Sequence, residues 1–258
     1  MLIRDVGGIC MVKGLETFKR YFIDDVDKYV LIGGAACDIN FASQEAEFRV
    51  TKDLDMVLIV EALTPEYGEK FWRFIEDGGY EHRATSTGKP QFFRFTHPKD
   101  DSFPKMIELF ARTEFELRSP SVLTPVHIDD EVSSLSGILL NDDYYKALLD
   151  GKRVINGLSV LRPEYLILFK SKAYLDLWSR RQAGESVQSS EYKKHKKDIL
   201  RIAVEMELER PSTLPAAVRS DIRSFIDSLE TEPFDVNTLI NYQVSTEEIA
   251  EILRELFL

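Results

Sequence analysis

Arg49 to Val60 reads RVTKDLDMVLIV, and this stretch decides the fold class. Met56 to Val60 is an unbroken apolar run. Such a run, bounded by polar residues, marks a strand buried on both faces. Asp53 and Asp55 stand at its mouth, two residues apart. Residues i and i+2 of a strand point to the same face. Two carboxylates are therefore held side by side, where they repel unless a positive charge lies between them. Hard oxygen donors suit a divalent cation such as magnesium. Taken alone, the stretch also fits a charged strand edge neutralised by Lys52 or Arg49.

Two stretches on either side add weight to the first reading. Upstream, Tyr29 to Ile32 is a short apolar strand that ends at Gly33-Gly34, and a helix is expected from Ala35 to Gln44. A strand that ends in glycines and opens a helix presents backbone amides with no side chains in front of them, an arrangement that receives phosphate oxygens. A tight turn needing positive φ is the plainer alternative. Downstream, Lys105 to Arg112 reads as a strand in which Glu108 is the one acid among Met106, Ile107, Leu109 and Phe110. A carboxylate in a buried strand is costly unless something pairs with it. A third ligand beside Asp53 and Asp55 explains its place; an edge strand exposing one residue is the alternative.

The rest of the chain gives the outline. Leu15 to Asp27 has the apolar spacing of a helix. Thr64 followed by Pro65 starts another, expected to run to Asp77 and to stop at Gly78-Gly79. Gln91 to Thr96 reads as a strand, and Pro98 to Pro104 carries turn chemistry. Beyond Ser119 the character changes. Strands are expected at Gly137 to Leu140 and within Arg153 to Leu161, followed by helices at 163–181, 190–209, 214–229 and 245–257. The expected fold class is α/β: a mixed-sheet domain over residues 1–125, then a mainly helical domain over 126–258 with a short strand-containing connector.

Composition narrows the function classes. With 44% apolar and 30% charged residues the chain is an ordinary globular sequence. No apolar run reaches the roughly 18–20 residues of a membrane span, and the N-terminus lacks the pattern of a signal peptide, so a cytoplasmic protein without membrane contact is expected. Cys10 and Cys37 form neither a zinc spacing nor a disulfide framework. A net charge of −11 argues against a surface basic throughout. Charge is unevenly spread, however. Lys170 to Arg201 holds nine Lys and Arg against four Asp and Glu, and from Ile202 onward there are four against twelve.

The order Gly33-Gly34, then Asp53-Leu54-Asp55, then Glu108 resembles the nucleotidyltransferase superfamily of the polymerase-beta kind. The sequence departs from that pattern in having Glu108 for the usual aspartate, Gly34 where serine is frequent, and Lys52 where an apolar residue is usual. RVTKDLDMVL, with FKSKAYLDLWSRR and KKHKKDILRI downstream, is similar to the AbiEii/AbiGii-type toxin nucleotidyltransferases of bacterial abortive-infection and toxin–antitoxin systems. Lys170 and Ala173 match the Lys-x-x-Ala helix of that family, and Lys197 and Asp198 match its Lys-Asp helix. Arg180 and Arg181 come later than the family's arginine, and Arg201 replaces its second aspartate.

The resemblance implies a nucleotidyltransferase-type sheet domain and transfer of a nucleoside monophosphate from an NTP to an acceptor hydroxyl. Two Mg2+ ions are expected on Asp53, Asp55 and Glu108, with Glu108 a ligand or the general base. Gly33 and Gly34 are expected to hold the triphosphate, with Arg49, Thr51 and Lys52 as further phosphate contacts. Lys170 lies on the apolar stripe Leu166, Phe169, Ala173, Leu177; either its stem snorkels at the stripe's edge, or it has an anionic partner, substrate phosphates across a shared cleft or Asp198. His195 reads as an interface or surface histidine. An RNA end such as a tRNA, bound through the basic window 170–201 with Tyr174, Trp178 and Tyr192, is one acceptor; a protein or a small molecule is another. A cognate antitoxin is the implied protein partner. The rival reading is a non-catalytic nucleotide-binding or interaction module on the same fold.

Overall fold

The computed structural model describes residues 12–49, 51–85, 91–111, 138, 141–231, 236 and 243–258. The chain divides into two compact units: residues 1–87, 91–125 and 154–160 form one, and residues 88–90, 126–153 and 161–258 the other.

In chain order the first unit contains α1 (Leu15–Phe22), β1 (Tyr29–Leu31), α2 (Gly33–Ser43), β2 (Asp53–Leu58), α3 (Pro65–Gly78), β3 (Glu81–Thr85), β4 (Gln91–Thr96) and β5 (Met106–Ala111). After α4 (Asp142–Gly151) come β6 (Lys152–Ile155) and β7 (Leu158–Leu161), joined by Asn156 and Gly157, both at positive φ. That pair of left-handed residues makes the tight hairpin turn whose twist matches the strands. The sheet has the order β3-β4-β5-β2-β1-β7-β6. It is mixed: β2 runs parallel to β5 and β1 parallel to β7, while β1/β2, β3/β4 and β4/β5 are antiparallel.

Alternation along the strands separates the two faces of this sheet. Leu54, Met56 and Leu58 of β2, Ile107 and Leu109 of β5, and Phe93 and Phe95 of β4 belong to one buried cluster with α1 and α3. Aromatic edges fill it; Phe18 meets the Tyr29 ring at 5.3 Å and Phe22 meets Phe74 at 5.2 Å. Each such side chain contributes about 1.5–3 kcal/mol by leaving water. The opposite face carries Asp53, Asp55, Glu108 and Arg94, because each stands one residue out of phase with that core. α3 starts as its sequence requires: the Thr64 side chain accepts from the Tyr67 amide at 3.3 Å, and Pro65 opens the helix.

Among the described residues, the second unit is mainly helical. α5 (Pro163–Gln182) is buried over most of its length and packs against α4, α6 (Ser189–Glu205) and α7 (Ala216–Thr231), with α8 (Thr246–Phe257) against α6 and α7. Tyr144 of α4 and Lys172 of α5 both reach Asp221 of α7, at 3.0 Å and 3.2 Å, which ties three helices to one carboxylate. Ser245 and Glu248 cap α8 reciprocally. Among the described residues no helix is long and apolar enough to cross a membrane.

The α/β sheet and the helical unit match the expected fold class. Some expected bounds differ. α2 begins at Gly33 itself rather than at Ala35, and α1 ends at Phe22, where a single turn of 3-10 helix follows. Arg153 to Leu161 is a hairpin of two strands. Of the strand expected at Gly137 to Leu140, only Ile138 is described, in a helical turn; the rest lies outside the described residues. β3 and α4 are not among the elements expected from the sequence.

Candidate active site

Asp53 and Asp55 lie where β2 begins, both half-buried, with Leu54 between them fully buried on the other face. Across the parallel pair, Asp55 is the register partner of Glu108, and Asp53 is the partner of Met106. The Asp55 side chain lies within interaction range of the Glu108 carboxyl. Burial pushes the Glu108 carboxyl above its ordinary range, while the charge and hydrogen bond of Arg94 and the contact with Asp55 pull it down and the Asp53 charge pushes it up.

The start of α2 is built onto the same point. The Ile32 amide donates to the Asp55 carbonyl at 2.9 Å, which places the end of β1 beside β2. Gly33 has φ 62 and opens α2 with no side-chain cap at its N-terminus. A Cβ at Gly33 would lie 1.9 Å from Asp55 Oδ2, and one at Gly34 would lie 2.7 Å from Thr51 Oγ1. Helix N-terminus, Asp55 carboxylate and Thr51 hydroxyl are therefore immediate neighbours. The glycines are needed on two counts: Gly33 for its left-handed backbone, and both for the closeness of β2 and the residues before it.

The other expected contacts of this unit separate. Thr51 is half-buried against Gly34. Arg49 and Lys52 are exposed, and the Arg49 guanidinium sits 5.4 Å from the Phe48 ring centre. Sequence reasoning missed Arg94. It is the register partner of Glu108 on β4, and its Nε and Nη2 both donate to Glu108 Oε1, at 2.7 Å and 2.6 Å. The signal was present: Arg94 is the one cation in QFFRFT, as conspicuous there as Glu108 is in its own strand.

In the helical unit, Lys170 is 7% exposed and its Nζ lies 2.8 Å from Asp198 Oδ2 on α6. Lys170 thus meets an anion within its own unit, the second of the two partners expected for it. His195 is buried, which leaves the interface alternative and not the surface one. Of the three aromatics in the basic window, Tyr174 is 1% exposed, packed edge-on against Phe225 at 5.3 Å with Lys196 Nζ 5.5 Å from its ring centre. Its ring is committed to the core and offers no face for a base. Lys193 and Lys197 are exposed, one turn apart on α6.

The donor set on the sheet fits a divalent cation in its chemistry: three carboxyls, hard oxygen ligands, crowded on a sheet whose other face is apolar. Among the described residues, however, no three acidic, histidine or cysteine side chains converge closely enough to grip one ion as they stand. Glu108 is turned to Arg94.

No protein-family model matches the chain, and no curated protein matches it in sequence. Similar solved structures include an antigenic nucleotidyltransferase-like protein from Paracoccidioides brasiliensis, at 13% identity and TM-score 0.44 over 90% of this chain and 94% of that one. The Megavirus polyadenylate synthase is similar at 12% identity and TM-score 0.37, over 85% of this chain and 36% of that one. The nucleotidyltransferase toxin MenT4 from Mycobacterium tuberculosis H37Rv is similar at 15% identity and TM-score 0.23, over 94% and 91%.

Proposed function

We propose that this chain is a metal-dependent nucleotidyltransferase that moves a nucleoside monophosphate from an NTP to an acceptor hydroxyl. The observation that carries the reading is the junction at Asp55: a carboxylate in register with Glu108 on the next strand, against the glycine that opens a helix. Acid and phosphate-binding amides at one point are what nucleotidyl transfer needs. Asp53, Asp55 and Glu108 would hold Mg2+, two ions in the full reading, which supply Lewis acidity and charge neutralisation when bound.

The protein's own groups divide the remaining work. The α2 N-terminus, with Gly33, Gly34 and the Thr51 hydroxyl, receives triphosphate oxygens through backbone and hydroxyl donors. Arg49 and Lys52 add positive charge from exposed positions. Glu108 is either the ligand on the acceptor side or the general base that takes the proton of the acceptor hydroxyl. Lys170 is assigned charge stabilisation on phosphate, an assignment that comes from the resemblance of its helix. The finer reading is a toxin of the AbiEii/AbiGii type, acting in the cytoplasm on an RNA acceptor such as a tRNA through residues 170–201, and held in check by an antitoxin. Exposed Lys193 and Lys197 support the basic surface; the buried Tyr174 ring does not contribute to it.

One observation favours the second reading, a non-catalytic nucleotide-binding or interaction module: Glu108 is already neutralised by Arg94. The two separate in one experiment. The protein is incubated with each labelled NTP, Mg2+, total RNA and lysate, and pyrophosphate release and label transfer are followed. Release with transfer establishes the enzyme. Nucleotide binding without either sinks it in favour of the module.

A further inference from the structure

Three adjacent strands lay three charged residues in one row. Asp55 on β2, Glu108 on β5 and Arg94 on β4 are consecutive register partners. The Arg94 and Glu108 side chains are 22% and 12% exposed, and both short contacts from the guanidinium fall on Glu108 Oε1. Arg94 stands between Phe93 and Phe95, which belong to the core on the opposite face. A cation in such a strand needs an anion, and the anion it has chosen is one of three crowded carboxyls.

We propose that Arg94 is the stand-in cation of this acidic cluster: it holds the Glu108 carboxylate when no divalent ion is bound and yields it when one binds. The proposal rests on the reading of Asp53, Asp55 and Glu108 as a divalent-cation site. Arginine cannot lose its charge, so Arg94 and a bound divalent ion repel across the carboxylate they share. This accounts for the failure of the three acids to converge as they stand. It also makes Arg94 a positioning residue, one that acts through Glu108. Without it the cluster is more negative. The fold without metal is then weaker and the grip on a divalent ion stronger. An arginine that served the fold alone would not set ion affinity in this direction.

The test is manganese binding to the full chain, read by the loss of the free-ion paramagnetic resonance signal, with thermal melts in chelator and in saturating Mn2+. Wild type is expected to bind Mn2+, and Asp55→Asn to lose most of that binding. Arg94→Met is expected to bind about tenfold more tightly, a factor worth about 1.4 kcal/mol. It should melt below wild type in chelator, and the gap should narrow in Mn2+. Equal or weaker binding by Arg94→Met, with wild type binding and Asp55→Asn not, overturns the proposal and leaves the cation site standing. A wild type that binds no Mn2+ removes both. Should Arg94→Met not fold, Arg94→Lys carries the test. It keeps the charge but loses the planar fork, so tighter binding by a smaller factor is expected, and unchanged binding overturns the proposal.

Discussion

The Asp55 carboxylate occupies the space in which a side chain on Gly33 would begin, with Oδ2 only 1.9 Å from where that Cβ would be placed. The acid and the glycine are thus packed into one corner, and a side chain at position 33 displaces the Asp55 carboxylate. Substituting Gly33 with alanine or valine meets two costs. A left-handed backbone costs a non-glycine residue about 1–2 kcal/mol, and the Asp55 carboxylate must swing away. We expect Gly33→Ala to melt a few degrees lower, and Gly33→Val to weaken NTP binding at least as much as Ala does. A titration that finds unchanged NTP affinity in a folded variant returns Gly33-Gly34 to the status of a plain turn.

Asp55→Asn separates chemistry from fold. The amide keeps the shape of the carboxyl and removes its charge from the register position opposite Glu108. Stability should be equal to wild type or slightly higher by thermal melt, while Mg2+-supported nucleotide turnover should vanish. A well-folded Asp55→Asn protein that still turns over NTP rules out the assignment of the metal ligands.

Lys170→Met tests a buried ion pair. Volume alone suggests a harmless substitution, since methionine keeps the length of the stem. The pairing with Asp198 changes that expectation: the Lys170 and Asp198 side chains are 8% and 1% exposed, and removing one partner leaves a buried charge behind. Such losses cost about 3–5 kcal/mol. We expect a clear drop in denaturation midpoint, largely restored in the double variant Lys170→Met with Asp198→Leu. If the double variant is nucleotide-active, Lys170 has no part in catalysis.

Asp38 sets a pH dependence. It lies in α2, 2% exposed, and accepts from the Val12 amide at 3.1 Å. Burial raises its carboxyl from 3.8 to about 6, against the pull of that hydrogen bond. The folded protein therefore holds this proton more tightly than the unfolded chain. Its contribution is most favourable below about pH 4, declines as pH rises toward 6, and is constant above. An asparagine at this position carries no such penalty. The melting temperature of Asp38→Asn relative to wild type should rise between pH 4 and pH 6 and then level off. A difference that does not vary with pH means that Asp38 titrates normally.

Where one face of an element was buried and its period was clean, the sequence could be read. β2 follows from its apolar run, β4 and β5 from short apolar stretches, and α3 from Thr64-Pro65, because these signals are local. β3 reads EHRAT and has no apolar period, so only its pairing with β4 makes it a strand. α4 was legible and overlooked: Asn141 caps the amides of Asp143 and Tyr144, and two acids follow in its first turn. In the site, Asp53, Asp55 and Glu108 stood out as acids in apolar strands. Their partnership in register did not, because the pairing of β2 with β5 is parallel and spans a helix and two strands. Arg94 needed the same logic applied to a cation. The burial of Tyr174 comes from its packing against Phe225 of α7 as well as against α6, which no single-helix pattern reports.

The hairpin between β6 and β7 has a consequence for how the protein is made. β1 is among the first strands to leave the ribosome, yet one of its two neighbours in the sheet, β7, is not translated until after α4. Until then β1 presents an open edge with unpaired backbone groups, the kind of template on which chains join strand to strand. A fragment ending near residue 125 would carry that edge permanently. Folding of the first unit during synthesis must wait for the hairpin, so a nascent chain stalled before Val154 should be prone to aggregation in a way that one stalled after Leu161 is not.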